Sequence, residues 1–99
     1  MSMFEVTSSE LRSKAEALLN LNSQFAAGKS DLEGKEGSLI SMWEGEAKRL
    51  FHDAFLRDCE QMDVFKALIE EYVNALLEIA QRYEEAEKRN AELASARSY

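Results

Sequence analysis

The feature that most constrains this chain is a pair of long segments with helical apolar spacing, which no proline interrupts and which meet near the middle of the sequence. A seven-residue apolar repeat places its members along one face of an α-helix, where they can pack against another helix. The repeat of the first segment consists of Leu11, Leu18, Phe25, Leu32 and Leu39. It predicts a first helix over about residues 8–42, which begins where Thr7 or Ser8 with Glu10 has the pattern of an N-cap.

The three glycines between positions 28 and 37 are the weak point of the first segment. Each disfavours helix by about 1 kcal/mol relative to alanine, so a kink or frayed break over residues 33–38 is the alternative to a continuous helix. We expect a continuous helix, because the repeat passes from Leu32 to Leu39 without a change of phase.

The second segment carries a denser apolar pattern, which alternates steps of three and four residues and is interrupted at Asp58. A stripe of this width is typical of a helix in a four-helix bundle. Its members are Phe51, Phe55, Met62, Phe65, Ile69, Tyr72, Leu76 and Ile79, and it continues to Tyr83 and Ala86. The pattern predicts a second helix over about residues 46–90. We expect residues 91–99 to form a frayed or flexible tail.

The triplet Trp43-Glu44-Gly45 lies between the two segments and has the composition of a helix–helix bend. Gly45 can adopt the positive φ that a tight bend requires, and the Trp43 indole can cover the open end of a helix pair. The sequence therefore predicts an all-α, antiparallel helical hairpin, a single domain over residues 1–99 with an N-terminal segment at 1–7. A lone hairpin leaves much apolar surface in water, so we expect it to dimerise into a four-helix bundle.

The composition disfavours several classes of partner. The formal net charge of −7 would repel nucleic acid and anionic membranes. Uninterrupted apolar runs of at most three residues disfavour stable membrane insertion, and the first residues lack the basic and apolar regions of a cleavable signal peptide. Cys59, the single cysteine, cannot form an intramolecular disulfide, and we expect it to be a small packing residue.

No pattern in the sequence indicates an enzyme, and we expect no catalytic residue, metal site or cofactor. The single histidine, His52, lies off the main apolar row and has no adjacent nucleophile, so we expect it to be solvated. The acidic groups at 70–71 and 84–87 place neighbouring carboxylates about 100° apart on a helix, whereas a cation needs converging ones. Phosphate-binding loops, dinucleotide fingerprints and Cys or His pairs at metal spacing are absent from the sequence.

The residues at the bend resemble a known family. Trp43-Glu44-Gly45-Glu46-Ala47 leading to Phe51 resembles the central motif of the WXG family, small early-secreted-antigen-like proteins that bacterial type VII (ESX) secretion systems export. The opening Phe4-Glu5-Val6-Thr7, followed by Glu10-Leu11 and Ala15, is also similar to the start of that family, so the resemblance spans nearly the whole chain. It implies a protein that is made in the cytoplasm and secreted without a cleavable signal peptide.

The second hallmark of the family is an export signal, in which a tyrosine near the end of the second helix is followed four residues later by an acid. Tyr83 and Glu87 match this pattern. The resemblance therefore implies that Trp43, Gly45, Tyr83 and Glu87 form the secretion signal. The alternative is packing alone, with Trp43 covering the hairpin core and Tyr83 continuing the apolar row.

The spacing of these residues predicts a signal shared between two chains. Forty helical residues separate Trp43 and Tyr83 by roughly 60 Å, so one chain cannot bring them together. In an antiparallel two-fold dimer, Trp43 could approach Tyr83 and Glu87 of the partner subunit. Asp58, which interrupts the apolar row, would then lie near the dimer centre and favour one pairing over another.

The resemblance implies a non-enzymatic substrate or component of a type VII secretion system, exported as a folded dimer and recognised by the system's membrane ATPase. Its partner would be a second copy of the chain or a sister WXG-type protein. The alternatives are a chaperone for a sister protein or a larger toxin, a membrane-active effector, and a cytoplasmic coiled-coil adaptor. The acidic charge and the short apolar runs give the membrane-active effector little support.

Overall fold

The computed structural model describes residues 6–96, so Phe4 and Glu5 of the family-like opening and residues 97–99 of the predicted tail lie outside the described residues. The described part forms two α-helices, α1 (Ser8–Ser41) and α2 (Glu46–Ala96). They lie side by side as a hairpin with extents of 84 × 20 × 15 Å. The predicted all-α helical hairpin is therefore confirmed, whereas the four-helix bundle stays a prediction.

Thr7 starts α1, as the capping pattern predicted. Its side-chain Oγ1 accepts a hydrogen bond of 3.1 Å from the backbone N–H of Glu10, which satisfies one of the unpaired donors at the helix N-terminus. The helix then continues without a break through all three glycines to Ser41. The continuous helix is therefore confirmed, and the alternative of a break over residues 33–38 is wrong.

Gly45 makes the bend possible. It has a φ of +106° and is followed directly by Glu46, the first residue of α2. Such a φ is strained for a residue with a side chain, so glycine is the residue that fits. Before it, the N–H of Met42 donates to the carbonyl of Leu39, and the N–H of Trp43 donates to the carbonyl of Ile40. The triplet thus lies at the bend, as its composition predicted.

The end of α2 differs from the predicted one. The helix continues to Ala96, the last described residue, six residues beyond the expected boundary near residue 90. Residues 91–96 bury nothing within the chain, but three of the six are alanine, the strongest helix former. Helix propensity thus extends α2 where the apolar pattern stops, and the tail expected from residue 91 is helical as far as Ala96.

The row that is most deeply buried between α1 and α2 lies next to the predicted apolar row. We call it the central seam, and it also repeats every seven residues. On α1 it consists of Ala15, Asn22, Lys29 and Glu36, and on α2 of His52, Cys59, Lys66, Val73 and Ala80. Its fully buried members are Ala15, Asn22, Glu36, Cys59, Val73 and Ala80. None of the thirteen predicted core residues is fully buried within one chain. Most residues of the seam are small or polar, so the large apolar side chains lie beside it.

Candidate functional site

The side chains at the bend form an open apolar hollow and do not close the end of the hairpin. The rings of Trp43 and Phe51 pack at a centroid distance of 5.6 Å with their planes tilted by 49°. Together with Leu39 and Met42 they line a hollow of about 600 Å³. Trp43 is half-buried, whereas Met42 is 79% exposed. This end of the hairpin therefore offers an apolar surface that a partner could cover.

Tyr83 and Glu87 lie near the other end of α2, one helical turn apart. Their i,i+4 spacing places the ring and the carboxylate on the same side of the helix. Tyr83 is 47% exposed and Glu87 is exposed, so a second protein can reach both. A phenol ring beside a carboxylate can give an apolar contact and an ionic contact to one basic, partly apolar site.

Glu84 belongs to the same acidic group but has a different role. Arg12 on α1 donates from Nε and Nη2 to its two carboxylate oxygens, at 2.8 and 2.7 Å. These hydrogen bonds lower the pKa of Glu84. Within residues 6–96 they are the last hydrogen bonds between the two helices, and α2 continues for twelve residues beyond Glu84. Glu87 therefore lies on the part of α2 that extends past this link.

The four predicted signal residues lie in two separate places. Trp43 and Gly45 lie at the bend, whereas Tyr83 and Glu87 lie on α2, with Tyr83 forty residues after Trp43. At the helical rise of about 1.5 Å per residue, this separation is roughly 60 Å. Within a single chain, the residues at the bend therefore cannot contact Tyr83 and Glu87.

The thirteen predicted core residues lie together on one side of the hairpin, which we call the apolar face. The heptad positions place them on the same side of the central seam, and hollows between α1 and α2 are lined by members from both helices. Phe25 and Phe65 meet across the two helices at a centroid distance of 5.3 Å. The face remains partly open to solvent, since six members are exposed: Leu32, Leu39, Phe51, Phe65, Tyr72 and Ile79.

The central seam sets the register of the hairpin through polar contacts. Asn22 Nδ2 donates to the carbonyl of Lys66 at 3.1 Å, and His52 Nδ1 lies 2.5 Å from Glu36 Oε1. Asn22 and Glu36 are fourteen residues apart, and so are His52 and Lys66, as an antiparallel register requires. The expectation that His52 is merely solvated is therefore wrong: it is the hydrogen-bond partner of a carboxylate whose side chain is only 5% exposed.

The sequence did contain a signal for this seam. Asn22, Lys29 and Glu36 recur every seven residues, four positions after the members of the leucine row. Polar residues in a heptad row are usually assigned to the solvent side, because burial of a polar group is costly unless it is paired. The partners that make this burial tolerable lie on α2, and the pattern of α1 alone does not predict them.

The side opposite the apolar face is linked by charges. Lys29 Nζ lies 3.0 Å from Asp63 on α2 and 3.5 Å from Glu33 on its own helix. The hydrogen bond to Asp63 raises the pKa of Lys29. Cys59 is buried in the seam, and its burial raises the pKa of the thiol. A thiol that stays protonated at neutral pH fits the expected packing role.

Within residues 6–96, neither helix has a stretch long and apolar enough to cross a lipid bilayer.

Comparison with known proteins identifies one family model and several solved structures that resemble the hairpin. The model of the WXG100 family, described as proteins of 100 residues with WXG, matches residues 3–88. The chain is similar in structure to EsxB, a secreted protein from Bacillus anthracis strain Sterne. The wild-type crystal structure has a TM-score of 0.75 and 24% identity, over 84% of this chain and 89% of EsxB. The selenomethionine-labelled form gives 0.78 and 23%, over 88% and 99%. At this identity the likeness shows a shared fold. Among curated proteins, no sequence matches the chain.

Proposed function

The chain belongs to the WXG100 family, and on this premise we propose that it is a non-enzymatic substrate or component of a bacterial type VII (ESX) secretion system. The observation that carries the proposal is the match over residues 3–88 in a hairpin whose bend is the Trp-x-Gly triplet. The likeness to EsxB, which is a secreted protein, supports it. The chain would be made in the cytoplasm and exported without cleavage of a signal peptide.

Tyr83 and Glu87 are the proposed contact with the membrane ATPase of the system. Their exposure supports this role, as does their position on the part of α2 near and beyond the Arg12–Glu84 link. Because Arg12 already holds the Glu84 carboxylate, the carboxylate of Glu87 remains for a receptor. A basic group on the ATPase would pair with it while an apolar pocket takes the Tyr83 ring.

The exported form would be a folded dimer, with a second copy of the chain or a sister WXG-type protein on the apolar face. An antiparallel arrangement would place the Trp43 hollow of one chain beside Tyr83 and Glu87 of the partner subunit. The separation of roughly 60 Å within one chain supports a composite signal, since neither half alone then meets the other.

Export of single-residue variants tests the signal. We expect Tyr83→Ala and Glu87→Ala to reduce the protein in the culture supernatant at least about tenfold, because each removes one of the two groups that the ATPase would read. Sedimentation of both purified variants should show that they still form the dimer. Glu85→Ala is the matched control, since this exposed acid points about 200° away from Tyr83 on the same helix and should leave export normal. Normal export of both signal variants would refute the assignment.

A chaperone-like partner role is the second candidate, and the half-open apolar face favours it. In that case the face would be completed by a sister protein or a larger toxin rather than by a second copy. Sedimentation of the purified chain alone separates the two. A stable homodimer supports self-pairing, whereas a poorly folded monomer supports an obligate partner.

A further inference from the structure

The apolar face contains two rows of five residues whose middle members touch. On α1 the row is Leu11, Leu18, Phe25, Leu32 and Leu39, and on α2 it is Phe51, Asp58, Phe65, Tyr72 and Ile79. The two middle residues, Phe25 and Phe65, pack at 5.3 Å. The row on α1 reads the same in both directions, with two leucines on each side of the phenylalanine.

A row with this symmetry fits a second copy of the same chain. In a two-fold interface the same patch occurs on both subunits, so each residue must suit its own mirrored position. An axis perpendicular to the helices and passing near Phe25 and Phe65 would stack α1 on the partner's α1 and α2 on the partner's α2. Each leucine of the α1 row would then face a leucine of the partner's α1 row. Phe65, which is 49% exposed in the single chain, would be covered at the centre.

Asp58 is the polar exception within the row on α2. It lines a hollow of the apolar face together with Phe55 and Met62. Within residues 6–96 its carboxylate has neither an ion-pair partner nor a hydrogen-bond donor, and Lys35, which lines the same hollow, pairs with Asp31 instead. If a partner covered this face without supplying a donor, it would bury an unpaired carboxylate, which is costly. A covering surface that supplies a donor at this point would avoid this cost.

Tyr72 is in the right place to supply that donor. It lies seven residues after Phe65, and Asp58 lies seven residues before it. When α2 stacks antiparallel on the partner's α2 about Phe65, positions at equal distance from the centre face each other. Tyr72 is 54% exposed, so its ring is free to meet a second chain.

We propose that Asp58 of each chain accepts a hydrogen bond from the hydroxyl of the partner's Tyr72, and that these two symmetric bonds fix the antiparallel register of a homodimer. The inference rests on the folded dimer of the proposed function and specifies its partner as a second copy. A hydrogen bond from a hydroxyl to a carboxylate is among the strong ones, because the acceptor is charged. A shift by one heptad would remove both bonds and leave two buried carboxylates unpaired.

Disulfide trapping tests the register directly, in a Cys59→Ala background that removes the native thiol. Chains carrying Asp58→Cys and chains carrying Tyr72→Cys, mixed and oxidised, should form a covalent dimer in high yield. Either variant alone should not, since its own two cysteines would lie about 21 Å apart and a disulfide needs Cα atoms within about 7 Å. Phe65→Cys, at the axis, should cross-link with itself and is the matched control. Cross-linking of Asp58→Cys alone, or none in the mixture, overturns the proposal.

A double-mutant cycle on the homodimer dissociation constant tests the bond itself. We expect Tyr72→Phe to weaken the homodimer about tenfold or more, because it leaves both carboxylates without a donor. Adding Asp58→Leu to Tyr72→Phe should recover most of the loss. Independent, additive effects would overturn the hydrogen bond, and a chain that stays monomeric would overturn the homodimer.

The outcomes separate this inference from the proposed function. If the wild type is exported, its signal variants are not, and disulfide trapping fails, only the proposed register of the homodimer is refuted. Successful trapping together with normal export of Tyr83→Ala and Glu87→Ala would refute the signal alone.

Discussion

Glu36 and His52 show how one pair of side chains can hold two long helices in register. The carboxylate of Glu36 is almost fully buried, and His52 reaches it across the seam at 2.5 Å. A buried carboxylate without a donor is costly, whereas a paired one is tolerated. The pair lies near the bend, so it joins the helices where the hairpin starts.

Replacement of His52 should therefore cost stability. We expect His52→Ala to lower the free energy of unfolding by about 1–3 kcal/mol, because the buried Glu36 carboxylate loses its donor. Urea denaturation measures the change. The neighbouring variant Asp53→Ala is the control, since it removes only an exposed ion pair with Arg49 and should change stability by less than about 0.5 kcal/mol. A His52→Ala variant as stable as the control would show that the pair contributes nothing.

The individual residues that the sequence predicted well are those whose role is local. Thr7 caps α1 and Gly45 has a positive φ because of neighbours within a few residues in the chain. His52 was predicted wrongly, since its partner lies sixteen residues away on the other helix. The roles of Tyr83 and Glu87 stay predictions, because they depend on a protein outside the chain.

The backbone conformation changes at the bend between the two helices. α1 ends with αR geometry at Met42, and the chain then needs one residue with positive φ before α2 starts. The glycines within α1, by contrast, do not adopt a positive φ. A side chain at Gly34 would meet nothing within 4 Å, so this glycine only weakens the helix.

Alanine at these two glycines should have opposite effects. Gly45→Ala should lower the free energy of unfolding by about 1–2 kcal/mol, because a φ of +106° is strained for alanine. Gly34→Ala should raise it by about 0.5–1 kcal/mol, because it removes the entropy cost of a helical glycine. Chemical denaturation followed by circular dichroism compares the two. If Gly45→Ala were as stable as the wild type, the bend would not depend on this conformation.

The boundaries of the helices were predictable at three of their four ends. The exception is the C-terminus of α2, where the apolar pattern stops but alanine-rich residues carry the helix on to Ala96. A pattern of core residues marks where a helix is packed. Propensity decides how far it continues beyond that.

The whole hairpin has too little interior to bury its large side chains. It is 84 Å long but only 20 × 15 Å across, and no leucine, isoleucine, methionine or aromatic residue is buried within residues 6–96. All thirteen residues of the apolar face are at least partly exposed in the single chain. The stability of such a molecule should therefore depend on a second layer of helices.

The melting temperature should accordingly depend on protein concentration. If the folded state is a dimer, mass action predicts a fall of several degrees for each hundredfold dilution, because unfolding then includes dissociation. Circular dichroism melts over two decades of concentration measure this. Phe65→Asp, which places a charge at the proposed centre, should melt lower and without the concentration dependence. A concentration-independent melt of the wild type would indicate a stable monomer.

The sequence by itself determined the helices, the bend and the set of large apolar residues that share a face. These follow from interactions within a few residues and from the seven-residue repeat, which the chain carries without help from its fold. The tertiary structure decided which row faces the neighbouring helix. Adjacent rows on a helix differ by only about 60° in direction, so the choice depends on contacts between distant residues. Those contacts are Glu36 with His52, Asn22 with Lys66 and Arg12 with Glu84.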